Sequence, residues 1–537
     1  MQLWKGKIYK MKFDLINNIK NRIQKHNKLC FFMALLVGWV THFYMLTHKL
    51  PNWDDMNNMW QPGSTDYLGR WMLKYIHPLG SIYSIPAVHG FILILCLALS
   101  ACFIMEIFSL KSTTAAVLVP LLLMTYPATA STMTFMFMSH TSGFAILMVC
   151  GGVYVLRKYK YGFIPFGVLL ICSMGTYQSY VCIAITLILM SIIVDLFRGA
   201  KFAEGLKKGI IHAATVGIST AIYMVLCHIA YPNIGNETYG GVGNMGQIPL
   251  AQMPRLFARC YKRFLEFFIW KPFDFMPEMS HSMNTVIFIL MVCLGIYLIY
   301  MKRIYKDKLK LVFLCFCMGL IPFATAFIYF MGPEVPYSML MLYPYVFVYV
   351  FVIAMIEICI ERWDKDKTNL PKKNTLLRMS AVGTVCAVVI IASYSNYLVT
   401  NQAYMRMELA KDKVYAFFER VVSLVEEQEG FTYGDKVSFV GEFNYLDNPS
   451  SIENTAKEQL ETDELRSFSG VALENGLLTL GVRNNFIRYF IGFEMYDISD
   501  NEFNDIKETD TFKNMPLYPE QGCVQKINDI WIVKLCE

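Results

Sequence analysis

Two adjacent carboxylates lie just beyond the first apolar segment, in the sequence Asn52-Trp53-Asp54-Asp55, and Arg70 follows them. A partly desolvated carboxylate can take a proton from a hydroxyl group, and a guanidinium can hold two phosphate oxygens at once. Ionisable groups beside a membrane segment are a site hypothesis by default. Asp54 and Asp55 are therefore candidate catalytic groups, and Arg70 is a candidate phosphate ligand with Asp66 one turn earlier. A solvated loop or a helix cap is the alternative for the acidic pair, and lipid anchoring is the alternative for Arg70.

Further polar residues lie at the ends of apolar segments that we expect on the same side of the membrane. They are His140, Tyr177, Gln178 and Glu334. Sparse polar groups in apolar walls are typical of a ligand cavity, so these four are candidate substrate-binding residues. Taken singly, each is more often a local hydrogen-bonding residue. Several tryptophans, Trp60 among them, are typical of a membrane-interface belt, with sugar stacking as the alternative.

The composition predicts the membrane setting. The chain has 537 residues, of which 55% are hydrophobic and 17% charged, whereas soluble domains carry about 25% charged residues. A bilayer core of about 30 Å needs roughly 20 apolar residues per helix. The sequence therefore predicts an α-helical multi-pass membrane protein with about eleven spanning helices. These are 29–47, 85–108, 113–130, 140–156, 161–175, 178–197, 209–231, 283–300, 311–331, 339–360 and 379–399.

Charge predicts the orientation. Residues 1–400 hold 35 Lys/Arg against 17 Asp/Glu, and residues 401–537 hold 13 against 25. The basic residues concentrate in alternate loops, which the positive-inside rule assigns to the cytoplasm together with residues 1–28. Within a transmembrane domain at 29–400, the loops 48–84 and 232–282 then lie outside. Residues 401–537 lie outside as well. No basic tract with interleaved aromatics suggests nucleic-acid binding.

The outer segments have secondary structure of their own. An amphipathic helix is predicted at 255–270, lying along the membrane interface, and a shorter helix at 64–76 carries Arg70. Residues 401–537 mix a long helix with strands, which indicates a small α/β domain. Its predicted elements are a helix at 403–429 and strands at 436–442 and 529–535. Cysteine spacing gives no metal motif, and neither a metal nor another cofactor is expected.

Several short motifs together resemble a known family. They are Asn52-Trp53-Asp54-Asp55, Gly69-Arg70-Trp71, Gly175-Thr176-Tyr177-Gln178-Ser179, Asn401-Gln402, Lys436-Val437-Ser438-Phe439-Val440-Gly441 and Met515-Pro516-Leu517-Tyr518-Pro519 with 530–535. In these motifs, which cover nearly the whole chain, the protein resembles the GtrII-type glucosyltransferases of bacterial membranes.

The resemblance implies a glycosyltransferase C type fold with the active site in outer loops. It also implies a polyprenyl-phosphate-linked sugar as donor and a cell-surface glycan as acceptor. An acidic residue of the first outer loop is catalytic in this pattern, which corresponds to Asp54 or Asp55. One departure concerns 332–342, where the family pattern leads us to expect a basic residue and this chain has none.

The sequence thus predicts a membrane glycosyltransferase, most simply a glucosyltransferase dependent on a lipid-phosphate sugar. Its partners are the donor, the glycan acceptor and membrane lipid. The alternatives are a transporter or flippase of lipid-linked glycans and a glycan polymerase or ligase. A transporter is expected to carry broken or charged helices at the midplane, or internal repeats. The polar residues of this chain gather instead at one side of the predicted bilayer.

The orientation can be tested directly. The odd number of predicted spans and the loop charges place the C-terminus outside the cytoplasm. A reporter that functions only outside the cytoplasm should therefore be active when fused after Glu537. A cytoplasm-dependent reporter at the same position serves as the control, and activity of that reporter alone would reverse the orientation.

Overall fold

A computed structural model describes residues 24–60, 66–237, 243–245, 249–271, 276–332, 334–365, 372–441 and 468–535. Most of the predicted cytoplasmic N-terminus therefore lies outside the described residues. The helices up to the last apolar segment are α1 Lys25–Thr47, α2 Trp53–Asn57, α3 Leu73–Ile76, α4 Pro86–Ile107, α5 Thr113–Thr125, α6 Pro127–Thr134, α7 Ser139–Lys158, α8 Phe163–Met174, α9 Val181–Arg198, α10 Phe202–Ala230, α11 Met253–Phe268, α12 Glu278–Met301, α13 Lys308–Gly319, α14 Ile321–Thr325, α15 Ile328–Met331, α16 Val346–Lys365 and α17 Lys372–Glu426.

Every apolar segment that was predicted to span is helical, but not every one has spanning length. Within the described ranges, nine helical segments are long and apolar enough to cross a bilayer, and α5 with α6 makes a tenth if the bent pair is one span. The remaining predicted span, α8, has only 12 residues. Length and composition therefore support nine or ten spans, where the sequence predicted about eleven.

The bend between α5 and α6 follows from one proline. Pro127 occupies the first turn of α6, and Tyr126 before it has the extended values φ −65° and ψ 136°. A residue before proline is pushed out of the helical region, so α5 ends there and α6 starts in a new direction. The two axes differ by 44°. The bend carries α6 and the turn after it to the acidic pair.

The last apolar helix, α17, continues into the C-terminal part without a break. α17 runs for 55 residues, well past its apolar stretch. The strands β1 (Lys436–Val440), β2 (Val524–Ile527) and β3 (Ile530–Lys534) form one sheet in the order β1-β3-β2. β3 pairs parallel with β1 and antiparallel with β2. Asn528 and Asp529 join the hairpin, both with positive φ, as a two-residue turn requires. The predicted long helix and both predicted strands are present.

The C-terminal part packs against the described part of 48–84, the predicted first outer loop. Met56 of α2 is fully buried in the same apolar cluster as side chains of α17 and the sheet. Arg406 of α17 donates to both carboxylate oxygens of Glu474 at 2.9 and 3.0 Å, and Glu474 begins α18 (Glu474–Leu478). Gly476 of α18 lies against the ring of Trp53, because a Cβ on that glycine would be 3.5 Å from Trp53 Cε3. The loop that carries the acidic pair and the C-terminal part therefore lie on the same side of the spanning helices.

Candidate active site

Asn52 fixes the position of the acidic pair by joining three segments. Its side-chain oxygen caps α2 by accepting from the Asp55 backbone N–H at 2.8 Å. Its amide nitrogen donates to Thr134 O at 2.9 Å and to Gly470 O at 3.4 Å. Gly470 has φ +86°, and a Cβ there would lie 2.1 Å from Thr134 Oγ1, so only glycine fits. The start of α2, the end of α6 and the C-terminal part thus meet at one buried amide.

Asp55 is fully buried and all of its acceptor capacity faces protein. Its Oδ2 accepts from Lys49 Nζ at 2.6 Å. Its Oδ1 accepts from Ser84 Oγ at 2.6 Å and from Phe137 N at 3.1 Å. Lys49 also donates to the Ser84 hydroxyl at 2.7 Å. With 0% of its side chain exposed, Asp55 holds both ends of the first outer loop together and is closed to an acceptor.

Asp54 differs from Asp55 both in its burial and in its hydrogen bonds. It is half-buried, and no side chain among the described residues donates to its carboxylate. Burial raises the pKa of Asp54 above its ordinary value, the Arg70 charge opposes that rise, and the Asp55 charge adds to it. A carboxylate whose proton affinity is raised by burial, beside a cation that favours its charged form, is suited to accept a proton from a hydroxyl group.

The turn that carries Arg70 is clamped to the spanning helices on both sides. Gly69 has φ +73°, and a Cβ there would lie 2.8 Å from Tyr223 Oη. The Tyr223 hydroxyl of α10 donates to Gly69 O at 3.0 Å, and the Gln178 side-chain amide donates to Leu68 O. The predicted helix at 64–76 is therefore wrong: a 3-10 turn at Asp66–Leu68 and the four-residue α3 flank an irregular turn. Glycine is what allows the chain to reverse so close to α10.

The guanidinium of Arg70 lies over an aromatic ring and keeps a donor unused. Its Cζ is 4.9 Å from the centroid of the Tyr177 ring. Its buried Nε has no hydrogen-bond partner among the described residues. Since a buried unpaired donor is costly, this arrangement suits an anion that binds against Arg70. The motif around Arg70 and the motif at 175–179, separated by a hundred residues, are thus in direct contact, as Met72 N also donates to Gly175 O at 2.9 Å.

Of the remaining predicted site residues, some lie next to Arg70 and the others lie elsewhere. Tyr177 and Gln178 lie at Arg70, one under its guanidinium and the other holding its turn. His140 is fully buried, and its Nε2 is 3.0 Å from His77 O. Glu334 is exposed and accepts from Asn244 at 3.4 Å, so its contact is with the second outer loop. Asp66 begins the 3-10 turn before Arg70.

His140 belongs to a histidine cluster that contacts the turn whose Phe137 N–H donates to Asp55. Its ring centroid is 5.2 Å from that of His77. His77 Nε2 is in turn 3.1 Å from the carbonyl oxygen of Phe137, the residue whose N–H Asp55 accepts. Within the described ranges, no three His, Cys, Asp or Glu side chains converge as metal ligands. The contacts of His140 are those of a positioning residue.

An aromatic cluster, of which the sequence indicates only Trp60, joins the first outer loop to the C-terminal part. Trp60, Tyr83 and Tyr489 are all exposed, by 48%, 45% and 38%. The centroid of the Trp60 ring is 5.0 Å from that of Tyr83 and 5.6 Å from that of Tyr489, edge to face in both cases. Asn485 Nδ2 also donates to Asn57 Oδ1 at 3.1 Å. Exposed rings beside the loop of the acidic pair are suited to stack against apolar sugar faces.

Two basic side chains of α11 contact the segment 332–342, which has no basic residue of its own. Arg259 Nη2 donates to Val335 O at 3.2 Å. Arg263 Cζ lies 4.6 Å from the centroid of the Tyr337 ring, and the Tyr337 hydroxyl donates to Arg263 O at 2.8 Å. The predicted interfacial helix is confirmed as a helix, and its contacts bring two guanidinium groups to the loop where the sequence shows none.

The apolar helices and the polar site in their connecting segments define a multi-pass membrane protein, and comparison with known families gives its class. The family model for the glucosyl transferase GtrII matches residues 43–356, more than half of the chain. The chain belongs to the GtrII glucosyltransferase family and is a membrane glycosyltransferase. Comparisons with curated proteins and with solved structures gave no match. The matched segment contains Asp54, Asp55 and Arg70.

The different surroundings of the two carboxylates predict different responses to the same change. Asp55→Asn leaves the Lys49 ammonium without its charged partner. Breaking a buried ion pair costs about 3–5 kcal/mol, and the cost is smaller here because the Lys49 side chain is 23% exposed. We expect Asp55→Asn to lower the thermal unfolding temperature of the purified protein and Asp54→Asn to leave it near wild type. Equal unfolding temperatures for the two variants would contradict the structural role of Asp55.

Proposed function

We propose that the protein transfers a glucosyl group from a polyprenyl-phosphate-linked donor to a hydroxyl group of a cell-surface glycan, on the outer side of the membrane. The observation that carries the proposal is a half-buried Asp54 of raised pKa within the electrostatic influence of Arg70, whose Nε lacks a partner among the described residues. One group can accept a proton and the other can bind an anion. Transfer from a sugar phosphate to a hydroxyl needs both.

In the proposed step, an acceptor hydroxyl attacks the anomeric carbon of the donor sugar. A bond forms between the acceptor oxygen and that carbon, and the bond from the carbon to the phosphate oxygen breaks. Asp54 takes the hydroxyl proton as the nucleophile gains charge. The leaving polyprenyl phosphate keeps the electron pair, and the Arg70 guanidinium stabilises its developing charge. Asp55 touches neither substrate and acts by holding the loop.

A lipid-linked donor is supported by where Arg70 lies. Its turn is hydrogen-bonded to Tyr223 of α10 and Gln178 just before α9, both part of or next to candidate spanning segments. A phosphate bound at this turn is close enough to the apolar helices for a polyprenyl tail to remain in hydrocarbon. A transporter of the same lipid would need the anion site but would have no use for the base.

A glycan acceptor is supported by the contact between the first outer loop and the C-terminal part. Trp60 and Tyr83 from the loop and Tyr489 from the C-terminal part present exposed rings together. The C-terminal part contacts the loop that holds Asp54, so a chain of sugars that stacks on these rings can extend to the base. The outer placement itself rests on the charge alternation of the loops.

The general-base role of Asp54 can be tested by its removal. Asp54→Asn keeps the size of the side chain but removes the proton acceptor, and we expect transfer to fall about a hundredfold or more. The measurement is the glucose content of surface glycans, by mass spectrometry, from cells that make wild type or variant at equal levels. Asp505→Asn, the same change at an exposed aspartate of the C-terminal part, is the control. Glycan glucosylation at the wild-type level with Asp54→Asn would reject the base and favour a transporter.

The pH dependence tests the coupling between Asp54 and Arg70. The base works when ionised, so kcat/KM should fall as the pH drops through the pKa of Asp54, which lies above the usual value of about 3.9. Arg70 lowers the pKa of Asp54. Arg70→Ala should therefore move the acid limb to higher pH, besides slowing transfer. Arg70→Lys keeps a charge but loses the two-point contact, so it should be impaired but less so than Ala.

If Arg70 were only a lipid anchor, Lys would replace it freely, because both side chains reach the headgroups. Turnover of a purified polyprenyl-phosphate glucose by the reconstituted wild type and by the Lys and Ala variants decides between the roles. Equal rates and superimposable pH profiles for all three would remove Arg70 from the site.

A further inference from the structure

A second group of basic side chains lines a cavity on α11, with no residue in common with the Asp54 and Arg70 site. The cavity has a volume of about 660 Å³, within the roughly 300–1,000 Å³ range of small-molecule pockets. Among the described residues, its charged lining comes from α11 alone, as Arg255, Arg259, Lys262 and Arg263. Four cations within three turns repel one another unless an anion lies among them.

The carboxylate nearest to these cations does not balance them. Glu266 is 2.8 Å from Arg263 and 3.7 Å from Lys262, so one negative charge serves two positive ones. Burial, followed by the charge of Arg263 and with a smaller effect from Arg255, lowers the pKa of Arg259. The buried Nε of Arg263 has no hydrogen-bond partner among the described residues. The described lining of the cavity therefore carries a net positive charge, with an unpartnered Nε on Arg263 beside it.

The two inner guanidinium groups are held in place before any ligand arrives. Arg259 lies 5.9 Å from the ring centroid of Tyr329 and donates to Val335 O. Arg263 lies over the ring of Tyr337. Fixed guanidinium groups lose little side-chain entropy when they bind a phosphate. Arg255 and Lys262 are exposed at the edge of the cavity.

Apolar surface lies beside the charged lining. Leu250 and Phe257 are 81% and 39% exposed. The ring centroid of Phe257 is 4.9 Å from that of Phe323, which belongs to the apolar segment Lys308–Thr325. A ligand with its anion among the guanidinium groups can therefore place an apolar tail along this side.

We infer that the α11 cavity is a second phosphate site, which binds the phosphate ester of a membrane-embedded lipid. Arginine forks match phosphate oxygens in geometry, and the adjoining apolar side chains favour a ligand that carries a hydrocarbon chain. Two lipids have this chemistry: a polyprenyl phosphate, before or after transfer, and a bilayer phospholipid. Only the first source rests on the proposed function.

The test measures binding in an Arg70→Ala background, so that a phosphate site at Arg70 does not contribute. The full-length protein in zwitterionic detergent is titrated with farnesyl phosphate, with dihexanoyl phosphatidylglycerol and with inorganic phosphate. Arg263→Gln should weaken saturable lipid binding about tenfold to a hundredfold, as expected for the loss of a charged hydrogen bond. Arg255→Gln/Lys262→Gln should also weaken it, and because both residues are exposed at the edge of the cavity, this variant perturbs the packing less than Arg263→Gln.

The exposed Lys74 of the first outer loop provides the control, and Lys74→Gln should leave binding unchanged. Tighter binding of farnesyl phosphate identifies the polyprenyl lipid as the ligand, and tighter binding of the phosphatidylglycerol identifies the bilayer lipid. Binding of inorganic phosphate with neither lipid bound would overturn the lipid assignment. Lipid binding that is non-saturable, or equally strong in the cavity variants and in Lys74→Gln, would overturn the site. Because activity is not measured, failure here is separate from failure of the Asp54 mechanism.

Discussion

The buried carboxylate of Asp55 is the constraint on which the arrangement of the site depends. Its oxygens accept from Lys49 and Ser84 at the two ends of the first outer loop and from Phe137 N in the turn after α6. A carboxylate removed from water is tolerated only when its acceptor capacity is satisfied. Those three donors therefore have to be brought together, and the neighbouring Asp54 is left half-exposed. Asp55 is therefore closed to substrate, and its contacts hold the loop that carries Asp54.

The same loop also joins the spanning helices to the C-terminal part. Asn52 links α2 to Thr134 and Gly470, and Met56 enters the apolar cluster of α17 and the sheet. The site is consequently assembled from segments far apart in the sequence. A change in the docking of the C-terminal part reaches Asp54 through one turn of helix, so the C-terminal part and the loop of Asp54 form one packed unit.

The sequence carried enough information for the helices and for the local motifs, and much less for how they meet. Apolar length located α1, α4 and the long α17, and alternation located the strands, because these signals are local. Which of two adjacent aspartates is buried depends on Lys49, Ser84 and Phe137, and no local pattern connects them. The helix predicted around Arg70 is wrong because contacts from α10 and from Gln178 outweigh local propensity. Similarly, the basic groups at 332–342 come from Arg259 and Arg263, some seventy residues earlier in the chain.

Because α17 is long and unbroken, a small change of tilt at one end displaces the other end by many ångströms. At about 1.5 Å per residue, 55 residues extend about 80 Å, whereas the hydrocarbon core is about 30 Å thick. A tilt of about 10° about one end moves the other by about 14 Å, and spanning helices change tilt with bilayer thickness. The ion pair of Arg406 with Glu474 joins α17 to the segment that packs on Trp53. A change in the tilt of α17 would therefore act on the segment that packs against the loop of Asp54, so the thickness of the bilayer would bear on the geometry of that loop.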